Sequence, residues 1–223
     1  MKKIHRFILP TDLGHQLRDV LKMERGEEIN LLDGQGVEGR AKIVATSPSV
    51  EVELESVGRN QNEPTRRVIL YAAILKREHF ELIVQKATEV GVTEVVPVIS
   101  KRTVKTGIKL DRLRKIATEA AEQSGRGVVP IIHEPMGFEQ ALLDAKRNET
   151  NLFFHTSTTP NPSLKRMGGE SMGIFIGPEG GWDESEVEAA KAAGCELATL
   201  GNLTLRGETA AIVATYLVAT GRL

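Results

Sequence analysis

Ile176-Gly177-Pro178-Glu179-Gly180-Gly181-Trp182 and Leu200-Gly201-Asn202-Leu203-Thr204-Leu205-Arg206-Gly207-Glu208-Thr209-Ala210-Ala211 are the two stretches whose reading decides the fold. Each follows an apolar run of buried-strand length, and each opens into a helical pattern. Glycine at a strand-to-helix corner removes the β-carbon and lets bare backbone N–H and C=O groups approach a ligand. Two such corners in one open sheet predict a pocket for a single small ligand at the carboxyl ends of the strands.

Outward from the first corner, Asp183 suits the N-cap of a helix over 183–193, with Glu186 completing a capping box and Gly194 in the C′ position. Other helical patterns cover 78–90, with Ile83, Ala87 and Val90 on one face, 110–124, with Leu113, Ala117 and Ala120 in register, 138–146 and 207–220. Apolar strand-like runs lie at 68–75, 93–99, 128–133, 151–155, 173–176 and 196–200. This alternation predicts an α/β domain: a mainly parallel sheet with helices on both faces.

The first part of the chain reads as β. A short helix over 11–22, capped by Thr11 or Asp12, precedes strands at 29–32 and 37–45 around the turn Asp33-Gly34-Gln35-Gly36. Val50-Glu51-Val52-Glu53-Leu54-Glu55 alternates strictly, as a strand with one wet face does. Short strands with tight turns predict a small barrel over 1–64, joined by the polar run 58–64 to an α/β domain over 65–223.

Composition narrows the function. Hydrophobic residues make up 40% of the 223 and charged residues 26%, which fits a folded chain and not a disordered one. No apolar stretch approaches the roughly 20 residues that span a bilayer, so no membrane association is expected. The basic start, Met1 to Phe7, lacks the apolar run of a secretory signal, and Cys195 is the only cysteine, so a cytoplasmic protein without disulfides is expected. Histidines 5, 15, 79, 133 and 155 have no metal-ligand spacing, and no metal is expected. Walker, dinucleotide and nucleophile-elbow motifs are absent. The net charge is −1, yet Lys101, Arg102, Lys105, Lys109, Arg112, Arg114 and Lys115 crowd one stretch against Asp111 alone. Lys2, Lys3, Arg6, Arg18, Lys22 and Arg25 add a second basic region. Such patches hold phosphates or form a solvated helix face.

The two glycine motifs together closely resemble the signature of the SPOUT methyltransferases, and within them the RsmE family, which methylates N3 of a uridine in 16S ribosomal RNA. The resemblance runs the length of the chain. His5-Arg6-Phe7, the segment from His15 through Val20-Leu21-Lys22 to Gly26, Lys76, Gln85-Lys86-Ala87-Thr88-Glu89, Ser100 with Arg102, and Glu119-Ala120-Ala121-Glu122-Gln123-Ser124-Gly125-Arg126 with Pro130 follow in the family's order. The resemblance implies S-adenosyl-L-methionine as methyl donor, a C-terminal trefoil knot, a PUA-like RNA-binding barrel and a homodimer with its cofactor sites near the subunit interface. Tyr216, Leu217 and Ile212 are then candidate interface residues, or ordinary core. The partner it implies is 16S rRNA, within the small ribosomal subunit.

Carried onto this sequence, the cofactor positions are His155, Ile176, Gly177, Pro178, Gly180, Gly181, Leu200, Gly201, Asn202, Leu203, Leu205, Arg206, Gly207, Thr209 and Ala210. Uridine N3 is a poor nucleophile until its proton leaves, so an enzyme must align the base and draw that proton away. Arg206 is suited to polarise a uracil carbonyl, and Glu208 or Glu179 to accept the proton, although a carboxylate opening a helix is a weak base. Arg6, Arg18, Lys22, Lys101, Arg102 and Arg126 are the candidate RNA contacts; Arg126 alternatively pairs with Glu122. Glu89, Glu122 and Gln123 read as scaffold or RNA-side positions. The chain departs from the family at Gly207, where a threonine is usual. Two alternatives stay open: action on another RNA, such as transfer RNA, and a non-catalytic RNA-binding assembly factor.

Overall fold

The computed structural model describes residues 5–104, 107–156 and 169–221. They form two compact units, one of residues 1–62 with Arg126–Val128 and one of residues 63–125 and 129–223.

In the first unit, β1 (His5–Ile8), α1 (Thr11–His15), β2 (Glu28–Leu32), β3 (Val37–Ala45) and β4 (Glu51–Arg59) follow in order. The strands make an antiparallel sheet in the order β1-β4-β3-β2. Alternation sorts the side chains: Ala41 and Ile43 of β3 are buried beside Val50 and Val52, while Arg40 and Lys42 face out. Leu9 and Leu17 cover this face. Register shifts in β3 at Arg40/Ala41 and Ile43/Ala45 add local twist.

The expected helix over 11–22 is shorter. It stops at His15, continues as a π-helical turn over Gln16–Val20, and ends where Lys22 takes a left-handed φ of 54°. Neither Thr11 nor Asp12 caps it, because Pro10 occupies the N-cap and its carbonyl already accepts from Gly14 N at 2.8 Å. The polar run at 58–64 is not all linker. Strand β4 extends to Arg59, and Asn60 is buried with its amide donating to Glu38 at 2.9 Å. Gly127 packs on Asn60 so closely that a β-carbon there would lie 2.4 Å from Asn60 Cβ. Gly36 N donates to Gly127 O at 2.8 Å. This pairing takes 126–128 into the first unit and shortens the expected strand over 128–133.

The second unit contains β5 (Arg67–Ala73), α2 (Arg77–Glu89), β6 (Glu94–Ile99), α3 (Leu110–Ser124), β7 (Ile131–Ile132), β8 (Met136–Gly137), α4 (Phe138–Asp144), β9 (Thr150–Phe154), β10 (Ser171–Ile176), α5 (Glu184–Ala192), β11 (Glu196–Ala198) and α6 (Gly207–Thr220). Its strands run in the order β11-β9-β10-β5-β6-β7, with β8 also on β6, and every described pairing is parallel. Strand β5 explains the layers. Val68, Leu70 and Ala72 face a core shared with α2, α3 and α6, and Ile69, Tyr71 and Ala73 face one shared with α4 and α5. The sheet is therefore covered by helices on both faces, and the fold is α/β. Tyr71 stacks on Phe175 of β10 with ring centroids 4.5 Å apart.

The chain winds outward from β5 in one direction through β6 and returns to place β10 on its other side. A reversal of this kind opens a crevice beyond the carboxyl ends of the two strands. The opposite, amino end of the sheet is tied by charge. Glu94, 4% exposed, accepts from Arg67 Nε at 2.9 Å, Arg147 Nη2 at 2.8 Å and His133 Nε2 at 2.7 Å. Burial pushes the Glu94 carboxyl up, but these hydrogen bonds, Arg147 foremost, outweigh it and hold its pKa at about 2. A folded value below the unfolded one stabilises the protein at pH above the unfolded range and is lost as pH falls through the folded value. Glu94→Gln is therefore expected to cost about 2–3 kcal/mol at pH 7 in urea unfolding, by stranding two arginines. The gap to wild type should close as pH drops from about 5 towards 2; equal stability at pH 7 would refute the network's role.

Candidate active site

The carboxyl ends of β5, β9, β10 and β11 deliver their loops to one cavity of about 850 Å³, within the range of small-molecule clefts. Its walls combine Ile74 to Lys76 after β5, Phe154 to Thr156 after β9, Ile176 to Trp182 after β10, and Thr199, Leu200 and Leu203 to Glu208 after β11.

The first corner is held by an aromatic anchor. Trp182 is buried, stacks 4.7 Å from Phe153 and donates from Nε1 to Phe154 O at 3.2 Å. Gly177 lies against its indole, where a β-carbon would sit 3.1 Å from the ring. Gly181, with φ of 68°, closes the turn through its N–H to Pro178 O at 2.8 Å. Asp183 caps α5 in a full capping box with Glu186. Hydrogen bonds from the Ser185 hydroxyl and N–H, helped by Lys101 and Arg102, hold the Asp183 carboxyl below its usual range.

Lys101 and Arg102 fasten this corner from the loop after β6. Arg102 Nη1 donates to Gly180 O at 2.9 Å, Lys101 N to Glu186 Oε1 at 2.9 Å and Lys101 Nζ to Ser185 Oγ at 2.5 Å.

The second corner turns at Gly201, with φ of 117°, whose carbonyl accepts from Thr199 Oγ1 at 3.0 Å. Arg206 is the exposed N-cap of α6, and its carbonyl accepts from Ala210 N at 2.8 Å. Gly207 brings the corners together: a β-carbon there would lie 3.0 Å from Leu75 Cδ1 and 3.5 Å from Gly177 O. Leu203 is an apolar side chain 81% exposed at the cavity.

Of the residues expected to hold a cofactor, His155, Ile176, Gly177, Pro178, Gly180, Gly181, Leu200, Leu203, Leu205, Arg206, Gly207 and Ala210 line the cavity. Gly201, Asn202 and Thr209 do not; they shape the turn and the first helical residues behind the wall. Both Glu208 and Glu179 reach the wall. The residues that sequence reading left out are Ile74, Leu75, His79, Val104, Phe154, Thr156, Thr199 and Thr204. The signal for Ile74, Leu75, Phe154 and Thr199 was positional, since they lie at the carboxyl ends of the strand-like runs. His79 carried none beyond its three-residue spacing from Lys76.

The basic candidates fare differently. Arg6 pairs with Glu53 at 2.7 Å and Arg18 with Asp19 at 2.8 Å, and Lys22 is exposed. Arg126 is only 4% exposed, so the folded chain keeps it from an outer phosphate surface. The stretch 101–115 is less basic in space than in sequence. Arg112 forms a two-pronged bond to Glu81 at 2.6 and 2.8 Å, Arg114 lies 3.5 Å from Asp111 and Glu134, and Lys115 is 3.7 Å from Glu119. Lys2, Lys3 and Lys105 lie outside the described residues. Burial pushes the Cys195 thiol up to about 11, so it offers no thiolate. Among the described residues no cluster of metal-ligating side chains occurs, and no helix is long and apolar enough to cross a membrane. On α6, Tyr216 is exposed, and Ile212 and Leu217 are half-buried.

The RNA methyltransferase domain profile matches residues 61–219, which include the whole cavity wall. A ribosomal RNA small subunit methyltransferase E from Mesomycoplasma hyopneumoniae is 36% identical over 77% of this chain and 76% of its own length. The chain belongs to this methyltransferase E family. A family member from Synechocystis is 34% identical over 92% of this chain and 70% of its own length. The crystal structure of the member from Neisseria gonorrhoeae bound to S-adenosyl methionine superposes with a TM-score of 0.88 at 30% identity, covering 99% of this chain and 93% of that one.

The family's glycine corner makes a direct test possible. Gly177→Ala is expected to displace the Trp182 indole, giving a measurable shift in tryptophan emission and at least about tenfold weaker ligand binding at the cavity, equivalent to about 1.4 kcal/mol. Unchanged emission and affinity would show that the close packing is not needed.

Proposed function

We propose that this chain transfers the methyl group of S-adenosyl-L-methionine to N3 of a specific uridine in 16S rRNA of the small ribosomal subunit. The carrying observation is the cavity built from two glycine corners, in a chain whose family relatives are named for small-subunit ribosomal RNA and include one solved with the cofactor bound.

The residues present fit the cofactor. Gly177 and Gly207 stand where a β-carbon would crowd Trp182 or Leu75, so backbone lines the wall. Leu75, Ile176, Leu200 and Leu205 offer apolar surface for an adenine. Gly177, Gly181, Leu200, Leu205 and Ala210 are the backbone positions assigned to the adenine and methionyl groups. When bound, S-adenosylmethionine supplies an electrophilic methyl on a sulfonium, which needs no activation by the protein.

What the chain supplies is the handling of the base. Arg206, exposed beside the wall, is assigned to a uracil carbonyl or the adjoining phosphate, where its charge favours the N3 anion. Glu208 is assigned to the N3–H. Glu179, more open at the first corner, is the weaker candidate because solvent reaches it. Lys101 and Arg102 serve the first corner before they serve RNA, since both are bonded to it. The antiparallel first unit is read as the PUA-like RNA-binding domain, with Arg6, Arg18 and Lys22 at its surface. The C-terminal trefoil knot, the homodimer built around α6 and the cytoplasmic setting complete the reading.

Purified protein is expected to move labelled methyl from S-adenosylmethionine onto small-subunit particles or RNA from cells lacking the modification, with the label mapping to N3 of one uridine. Label on a different RNA would redirect the substrate, and cofactor binding without incorporation would leave an assembly factor. Arg206→Lys is expected to lower kcat by about 10²-fold while cofactor Kd changes less than about threefold. RNA affinity should fall as salt rises.

A further inference from the structure

Two polar atoms in the wall of the cavity are sealed from solvent and have no hydrogen-bond partner among the described residues: His79 Nδ1 and Glu208 Oε2. They face each other at 3.8 Å, one from α2 and one from α6. The Glu208 side chain keeps 10% of its exposure and His79 keeps 30%. An unpaired polar atom in such a place is costly. A closure of about 0.9 Å would bring the pair to ordinary hydrogen-bond length.

The second polar atom of each group is not sealed. Among the described residues, Glu208 Oε1 and His79 Nε2 find no hydrogen-bond partner, and they belong to side chains that line the cavity. A carboxylate accepts only, and an imidazole bearing hydrogen on Nδ1 donates from it. We propose that His79 is a positioning residue: its Nδ1–H holds Glu208 Oε2, which turns Oε1 towards the N–H of a base bound in the cavity. This rests on the methyl-transfer reading given above. It also supplies the orienting partner that Glu208 lacks at the start of α6. Among the described residues, Lys76, His155, Glu179 and Arg206 are the other titratable or charged groups on the wall, and none of them forms an ion pair with His79 or Glu208. On α2, Arg77 is engaged with Glu81 at 2.9 Å.

The pairing is tested by reading the His79 tautomer from ring-nitrogen NMR shifts of the full chain, wild type and Glu208→Ala. The ring hydrogen is expected on Nδ1 in the wild type and on Nε2 once the carboxylate is removed. The same tautomer in both would overturn the proposal, and this readout does not depend on methyl transfer. In the transfer assay, His79→Leu is expected to lower kcat about tenfold with KM for RNA within about twofold and the melting temperature unchanged. His79→Asn, whose amide donor falls near the Nδ1 position, should recover most of that loss. Equal loss in both variants would overturn the positioning role and make His79 itself the proton acceptor. A Glu208-dependent tautomer in a wild type that transfers no methyl would sustain the pair and overturn the methyl-transfer reading.

Discussion

The parallel pairing of β5 with β10, buried on both faces, is the constraint on which the rest of this structure depends. Register runs from Ser171 opposite Arg67 to Ile176 opposite Ala72, so the two strands end at the same level. Gly177 on one side and Ile74 to Lys76 on the other therefore emerge together. Strands enclosed by helices on both sides have no room for solvated chemistry. The polar groups that can meet a ligand are displaced to the loops that follow them and to the first turns of α2 and α6.

Those loops are kept in place by different means. Indole packing, the α5 capping box and two cationic side chains immobilise the first corner. The second relies on glycine geometry and on the start of α6, with Gly207 fitted between Leu75 and the Gly177 carbonyl. Charge is divided along the strands. The Glu94 network ties the amino end of the sheet, where it contributes stability, while Arg206, Glu208 and His79 stand at the carboxyl end with bonding capacity left over. A side chain that must bind a ligand cannot also spend its hydrogen bonds on the fold.

Regular elements were legible because their side chains repeat. The α3 pattern of Leu113, Ala117 and Ala120 and the strict alternation from Val50 to Glu55 are local records of which face is buried. Reading failed where a distant segment determined the outcome. The run 58–64 looks like a linker from its polarity, yet Asn60 is buried because Gly127 packs against it. Likewise 101–115 looks like a phosphate surface, yet Glu81, Glu134 and Asp183 arrive from elsewhere in the chain, and Glu119 from the next turn of α3, to pair with it. Arg126, expected as an RNA contact or a partner of Glu122, is buried.

By itself the sequence determined the alternation of strands and helices, the two glycine corners and the family, since each is written in neighbouring residues and survives any packing. Only the tertiary structure decided which side chains share the cavity. His79 and Glu208 lie far apart in the chain, and their meeting at 3.8 Å follows from α2 and α6 covering the same face of β5. Distances of that kind are set by how whole elements pack. A local pattern records the face a residue turns inward, not the residue it finds there.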